Sequence, residues 1–330
     1  MEESAEARLT SILYISLWIT LSSGVIIFNK WIMDRFPFPI TLTTCHMLFA
    51  TIATQILSRT TNLISKSTDM DARLYLRAVL PIGMCFSMSL ILSNVVYLYL
   101  SMSFIQMLKV PAITLATLLA CWSIGIHKPE PSTRVLLTIC VIVIGVAISS
   151  MGELRFVPMG FFIQGAAVIF EAYKNALQQS LLGGKANMSS LTLLYYFAPA
   201  CTVINSLYIL SFEYSALQVR ETSIVGPFVL LANGFLTFGL NIASLTVIKK
   251  TSSVALTLSG IPKTILLLLI DMVIYHSPMS LMQVIGFSIA GAGTYHYSQL
   301  GQSDTALAET QLDKKEDPPR KGDEESQLTE

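Results

Sequence analysis

Apolar residues dominate ten stretches of the chain, at roughly 10–33, 38–58, 76–100, 104–124, 133–150, 158–182, 189–212, 223–248, 252–275 and 279–298, with short polar segments between them. Each is near or above the roughly 17–25 residues that a tilted helix needs to cross a bilayer. The pattern predicts an all-α membrane protein of ten transmembrane helices, whose even count puts both termini on one side. Pro37 and Pro39, Pro129 and Pro131, Pro158, Gly183-Gly184 and Pro278 mark several of the boundaries. The third and fourth runs nearly merge, as do the eighth and ninth, so their ends are set only to within several residues. No cleavable signal peptide is expected: the first eight residues are polar and acidic, and the run after Leu9 is long enough to span.

Composition agrees with a lipid-facing exterior. The 330 residues are 53% hydrophobic and 13% charged, against about 25% charged in an average soluble protein. The zero net charge conceals an asymmetry. Residues 299–330 hold nine acids and four bases, including Asp317-Pro-Pro-Arg320, and show no apolar periodicity. They read as a disordered, acidic tail. The domain plan is thus a polar N-terminus over 1–9, a ten-helix domain over 10–298 and the tail over 299–330. Five scattered cysteines (Cys45, Cys85, Cys121, Cys140, Cys201) show neither metal nor redox spacing and read as packing residues.

Lysine and arginine outside the spans set the orientation. With the N-terminus in the cytosol, that side holds Arg8, Arg59, Lys66, Arg73, Arg77, Lys128, Arg134, Lys185, Lys249, Lys250 and four bases of the tail. The other side holds Lys30, Arg35, Arg155 and Arg220. The excess survives removal of the tail, so both termini are expected to be cytosolic. The halves 10–150 and 158–298 also resemble one another. Pro129 before the fifth helix matches Pro278 before the tenth, and His46 falls opposite Tyr196 at an offset of 150. Five helices per half make this an inverted 5+5 repeat, an arrangement found in alternating-access carriers.

Candidate chemistry sits inside the spans. Lys109 lies within the apolar run that follows Ser101, with Gln106 one turn before it and Pro111 two residues after. A lysine near the centre of a membrane helix costs about 2.5–3.5 kcal/mol on insertion scales, so it is expected to face other helices, the alternative being that it snorkels to a headgroup. Pro111 donates no backbone hydrogen bond and leaves a carbonyl without its partner one turn back. In the ninth helix Gly260-Ile-Pro-Lys263-Thr264 repeats the design, a lysine beside a proline deep in an apolar run. At the offset of 150, Lys109 falls opposite Ser259, one turn from Lys263. In the sixth helix Glu171 and Lys174 stand at i, i+3, a spacing that lets them pair. Lys174 is also a candidate ligand. Asn94 and Asn241 offer amides at matching points of the halves, for a substrate or for a neighbouring helix. Tyr196, next to Tyr195, is placed to stack on a base or sugar or simply to pack.

Phe28-Asn-Lys-Trp31, Pro37-Phe-Pro-Ile-Thr-Leu42, Ser103-Phe-Ile-Gln-Met-Leu-Lys109 and Lys250-Thr-Ser-Ser-Val-Ala-Leu-Thr257, with Lys263 following, together resemble the triose-phosphate translocator and nucleotide-sugar transporter family. The resemblance covers roughly 10–298 and is nearest the plant and fungal sugar phosphate/phosphate translocator branch of the drug/metabolite transporter superfamily. It implies strict exchange of substrates and a substrate phosphate held by Lys109 and Lys263. It also implies a Golgi or endoplasmic reticulum membrane. The departures are informative. Thr264 stands where plastid translocators have arginine after the ninth-helix lysine, Leu240 where they have tyrosine, and Leu90 where they have histidine. Phe197-Ala198 and Pro262 replace asparagines found in GDP-mannose transporters. Losing a forked guanidinium weakens recognition of a terminal phosphate dianion.

The expected function is an antiporter exchanging an anionic sugar conjugate, a nucleotide sugar or sugar phosphate, for a nucleoside monophosphate or phosphate by alternating access. Its substrate-binding residues would be Lys109, Lys263, Thr264, Asn94, Asn241, Gln106, Lys174 and Tyr196. An EamA-like exporter of small metabolites or drugs stands as the alternative, although such an exporter has no need of two deep lysines. An enzyme is not expected: there is no His-Glu-x-x-His, glycine-rich phosphate loop or carboxylate cluster at membrane depth. His46, His127, His276 and His296 are dispersed and read as structural. No cofactor or metal is expected. The partners are the lipid bilayer and a small anionic, sugar-containing solute, with no nucleic acid and with a homodimer compatible with the sequence.

Overall fold

The computed structural model describes residues 2–64, 70–96, 99–100, 102–126, 133–152, 157–183, 187–219, 226–274 and 280–296. Within them the chain forms ten helical segments. These are α1 (Glu2–Met33), α2 (Pro39–Thr60), α3 (72–96), α4 (Met102–Ile124), α5 (Thr133–Met151), α6 (Pro158–Leu182), α7 (190–219), α8 (Pro227–Lys250), α9 (253–274) and α10 (281–296). Seven of them, all but α5, α6 and α10, are long and apolar enough to cross a membrane; α5 contains a shorter apolar stretch, Leu137–Met151. The chain is therefore an all-helical membrane protein. The bases expected on the loops at 66, 128, 155, 185 and 220, the terminal tail and two of the dispersed histidines, His127 and His276, lie outside the described residues.

Local chemistry explains the boundaries. Pro39, Pro158 and Pro227 open α2, α6 and α8 at the position where a missing N–H costs nothing. Ser189 caps α7 by accepting from Thr192 N (3.1 Å), and Ser252 caps α9 by accepting from Ala255 N (3.0 Å). The first segment of α9 ends at Leu258, the residue whose carbonyl would have received the N–H that Pro262 lacks. Pro111, by contrast, leaves α4 continuous from Met102 to Ile124. Both α3 and α7 contain a π-helical turn, Tyr75–Val79 and Ile209–Glu213.

The second turn ends on a side chain that joins distant helices. Glu213 accepts from Ile40 N (2.8 Å), Thr41 N (2.7 Å) and Thr41 Oγ (2.6 Å), and so caps α2 with a carboxylate from α7. An anion at a helix N-terminus is favoured by both the dipole and the unpaired N–H groups.

Packing is set by small residues and by a few large ones. α3 packs on α6, α2 on α7, α4 on α6, and α1 on α8; α3 also meets α7, and α8 meets α2. α4 runs beside α9. α5 and α10 cross closest of all: a Cβ added at Gly145 would lie 2.4 Å from Ala290 N, and one at Gly286 would lie 2.3 Å from Ser149 N. Glycine allows backbones to approach in this way, which is the main source of helix association where the solvent is as apolar as the side chains. The largest buried cluster gathers Leu182, Met188, Leu193, Leu194, Phe197, Val247 and Ile248. It lies toward the end of the bundle that carries the α6–α7 and α8–α9 connections. At that end Lys249 Nζ donates to Met188 O (2.7 Å), and Gln179 Oε1 accepts from Ser253 N (2.8 Å).

Candidate functional site

A cavity of about 330 Å³ occupies the middle of the bundle, walled by α1, α2, α3, α4, α6, α8 and α9. It extends to Met33 and Pro39, the two ends of the α1–α2 connection. Toward the opposite end it stops short of the closed contacts around Lys249 and Gln179.

The titratable side chains that line it are His46, Lys109, Glu171, Lys174 and Lys263. Two contacts set the register of α4 against α9. A Cβ at Gly260 would lie 3.5 Å from Val110 Cγ2, and Cys121 Sγ is 3.4 Å from Ser253 Oγ. With the helices antiparallel, Lys109 and Lys263 are level to within about one turn. Lys109 Nζ is 2.9 Å from Glu171 Oε2, with side-chain exposures of 29% and 21%. Lys174 Nζ lies 5.3 Å from the centroid of the Phe86 ring. Lys263 Nζ is 3.3 Å from Ser22 Oγ and 4.9 Å from the Trp18 ring centroid. Both aromatic distances are in cation–π range. Three lysines against one glutamate leave two formal positive charges in a water-accessible pocket at membrane depth.

This corrects one expectation. The i, i+3 spacing pointed to Lys174 as the partner of Glu171, but Glu171 pairs with Lys109 across the α4–α6 contact. A helix-to-helix pair removes both charges from lipid at once, whereas Lys174 is stabilised against an aromatic face.

The other expected residues separate into three groups. Gln106, Thr264 and Asn241 line the cavity together with Lys109, Lys174 and Lys263. Among the described residues Asn241 Nδ2 and Thr264 Oγ1 are buried without a hydrogen-bond partner. Tyr196 stands elsewhere, in a shallower cavity with Gln55, Met70, Tyr75, Tyr195 and Pro199, where its carbonyl accepts from Tyr75 Oη (3.2 Å). The side chain of Asn94 lies outside the described residues. The sequence names Asn29 only within a family motif and His46 only as structural, and it does not single out Trp18, Ser22, Asn175, Gln178 or Thr237, yet all seven line the cavity. Only their shared position on inward faces of several helices marks them, and that is a property of packing.

Fold and cavity define a polytopic helical membrane protein with a cationic pocket in its middle. A model of the Triose-phosphate Transporter family matches residues 9–298, and the chain belongs to that family, one of transporters rather than enzymes. Among similar proteins, a probable sugar phosphate/phosphate translocator of Arabidopsis thaliana is 35% identical over 302 residues, covering 88% of this chain and 83% of the relative. A second of the same description is 31% identical over 318 residues, 92% and 94% of the two chains. UDP-galactose transporter 1 of Arabidopsis thaliana is 28% identical over 305 residues, 90% and 88%. One solved crystal structure matches with a TM-score of 0.57 over 91% of this chain and 98% of its own at 14% identity, a likeness of fold alone.

Proposed function

We propose that this protein is an antiporter that exchanges an anionic sugar conjugate, a nucleotide sugar or sugar phosphate, for a nucleoside monophosphate or phosphate by alternating access. The observation that carries the reading is that Lys109 and Lys263, one from each half of the chain, line one cavity at the same level. Relatives described as sugar phosphate/phosphate translocators and as a UDP-galactose transporter support the substrate class.

The inverted 5+5 repeat across ten spans is part of this proposal. Exchanging the first five helices for the last five turns the α1–α8 contact into α6–α3 and the α3–α7 contact into α8–α2. It leaves α2–α7, α4–α9 and α5–α10 unchanged. Individual residues follow the same rule. Gly83 faces Ala200 and Gly234 faces Phe49, with Gly234 lying 151 residues after Gly83 and Ala200 lying 151 after Phe49. The positive-inside excess supports cytosolic termini, and a Golgi or endoplasmic reticulum membrane follows from the family resemblance. On that orientation the cavity opens toward the lumen.

With the pocket empty, the uncompensated cations disfavour closure in a low dielectric. An anionic solute offsets the two net charges that Lys109, Lys174 and Lys263 keep against Glu171 and lets the halves close on either side. Gln106, Thr264 and Asn241 would supply neutral hydrogen bonds beside the phosphate. The test is uptake of labelled nucleotide sugars, sugar phosphates and phosphate into proteoliposomes preloaded with nucleoside monophosphates or phosphate. Uptake that requires a preloaded anion supports the reading; uptake of none of these anions would overturn it.

A further inference from the structure

The cavity is longer than its cationic part. α1 and α8 run antiparallel along it, and two contacts fix their register. Trp18 Nε1 donates to Ser244 Oγ (2.8 Å), and Asn233 Nδ2 donates to Asn29 Oδ1 (2.8 Å). The contacts are eleven residues apart on both helices, or about 16 Å at 1.5 Å per residue. Lys263 reaches α1 at the first of them, beside Trp18 and Ser22, and Lys109 lies at its level. Asn29 is seven residues beyond Ser22, about 10 Å further along the helix.

What stands at that far level is a neutral hydrogen-bonded group. Asn233 is its hub. Its Oδ1 receives His46 Nε2 and lies 3.5 Å from Thr237 Oγ1, while its Nδ2 is given to Asn29. With the amides oriented as this chain of bonds requires, His46 spends its Nε2 proton on Asn233 and keeps Nδ1 as an acceptor. Asn29 accepts through its oxygen and keeps its amide N–H groups as donors. Asn29, His46 and Thr237 all line the cavity. Asn241, two turns along α8 from Asn233 and so beside the lysines, also lines the cavity, and its buried Nδ2 has no partner among the described residues. A buried amide donor left unpaired costs about 1–3 kcal/mol, and a solute in the cavity that Asn241 lines could receive it.

We infer that Asn29 and His46, braced by Asn233, form a second recognition subsite, for the hydroxyl-bearing or base-bearing end of a solute whose phosphates rest on Lys109 and Lys263. The cargo is then a nucleoside-diphosphate sugar rather than a short phosphorylated sugar. This rests on the anion-exchange reading above and narrows it. A three-carbon phosphate on the lysines ends well short of Asn29. A diphosphate flanked by a nucleoside and a hexose carries hydrogen-bonding groups on both sides and reaches both levels. By the same register Asn241 is level with Leu21 of α1, beside the lysines, where it can donate to the phosphates of such a solute.

The experiment compares wild type and Asn29→Ala in proteoliposomes preloaded with UMP or GMP. It measures kcat/KM for UDP-galactose, a guanosine-diphosphate hexose, triose phosphate and inorganic phosphate. For the wild type, at least one nucleotide sugar is expected to exceed triose phosphate at least tenfold. Asn29→Ala is expected to lower the ratio of that sugar to phosphate about tenfold. Equal or better use of the short phosphates by wild type, or a loss in Asn29→Ala that is the same for every anion, would overturn the subsite. If no anion is exchanged at all, the exchange reading fails separately. The subsite is then decided by thermal unfolding of detergent-purified protein. Stabilisation by a nucleotide sugar but not by phosphate, lost in Asn29→Ala, supports it, and its absence overturns it.

Discussion

Glu171 and Lys109 are the pair whose removal tells most about how charge is held in this bundle. At 2.9 Å the bare attraction is about 6 kcal/mol for an effective dielectric of about 20, and desolvation of both groups takes back much of it. The side chains keep 29% and 21% of their exposure, so water in the cavity screens the pair further. A net coupling of about 1–3 kcal/mol is the reasonable outcome for contacting residues of this kind. The perturbation is a double-mutant cycle of Lys109→Met and Glu171→Gln, read as thermal unfolding of the detergent-purified protein. Lys109→Met leaves Glu171 beside Lys174, and Glu171→Gln leaves three lysines with no counter-charge. The singles together are therefore expected to destabilise more than the double. A second cycle with Lys174→Met and Glu171→Gln is expected to give the smaller coupling. A larger coupling in the Lys174 cycle, or none in the Lys109 cycle, would refute the cross-helix pair.

Three further outcomes follow from the packing and the topology. Gly145→Leu must push apart the α5–α10 crossing, where an added Cβ would already lie 2.4 Å from Ala290 N; overpacking of about 1–3 kcal/mol or more should reduce the monodisperse fraction in size-exclusion chromatography. Gly165→Leu, where an added Cβ meets nothing within 4 Å, should leave it unchanged, and equal yields of the two variants would count against the crossing. Glu213→Ala removes three hydrogen bonds to the start of α2 and should lower thermal stability by about 1–3 kcal/mol, with Glu213→Gln intermediate; no change in melting would mean the cap is not formed. Asn187 begins a glycosylation sequon in an exposed position of the α6–α7 connection, beside Lys249 in the last turn of α8. With that side cytosolic it should carry no glycan, and a glycosidase-sensitive mobility shift abolished by Asn187→Gln would reverse the orientation.

Hydropathy made the helices legible because a long apolar run marks a buried or lipid-facing helix whatever it packs against, and seven of the ten are long and apolar enough to cross a membrane. It misjudged ends where polar turns continue a helix. α3 begins at 72 rather than about 76 because Asp71 Oδ1 receives Ala72 N (2.7 Å) and the first turns carry Arg73 and Arg77. α1 likewise runs back to Glu2 through its polar leader. The deep lysines were legible because each is an expensive residue in its own helix. The partner of Glu171 was not, since spacing within α6 says nothing about what α4 brings across. Asn29 and His46 were visible only as a motif residue and a structural histidine, and Asn233 not at all, for the same reason: their hydrogen-bonded group forms only where α1, α2 and α8 converge. Tyr196 shows the reverse case, an aromatic that looked available and whose helix face turns it into a different cavity.

The central claim is that an anion held between Lys109 and Lys263 permits the halves to exchange their open side. Counterflow in reconstituted vesicles, with and without internal nucleoside monophosphate or phosphate, tests it most directly. Wild type should accumulate labelled substrate when preloaded and scarcely at all when empty. Lys109→Ala and Lys263→Ala should each abolish the exchange while the protein still inserts and elutes as a folded species. Equal uptake into empty and preloaded vesicles, or full exchange by both alanine variants, would contradict the account.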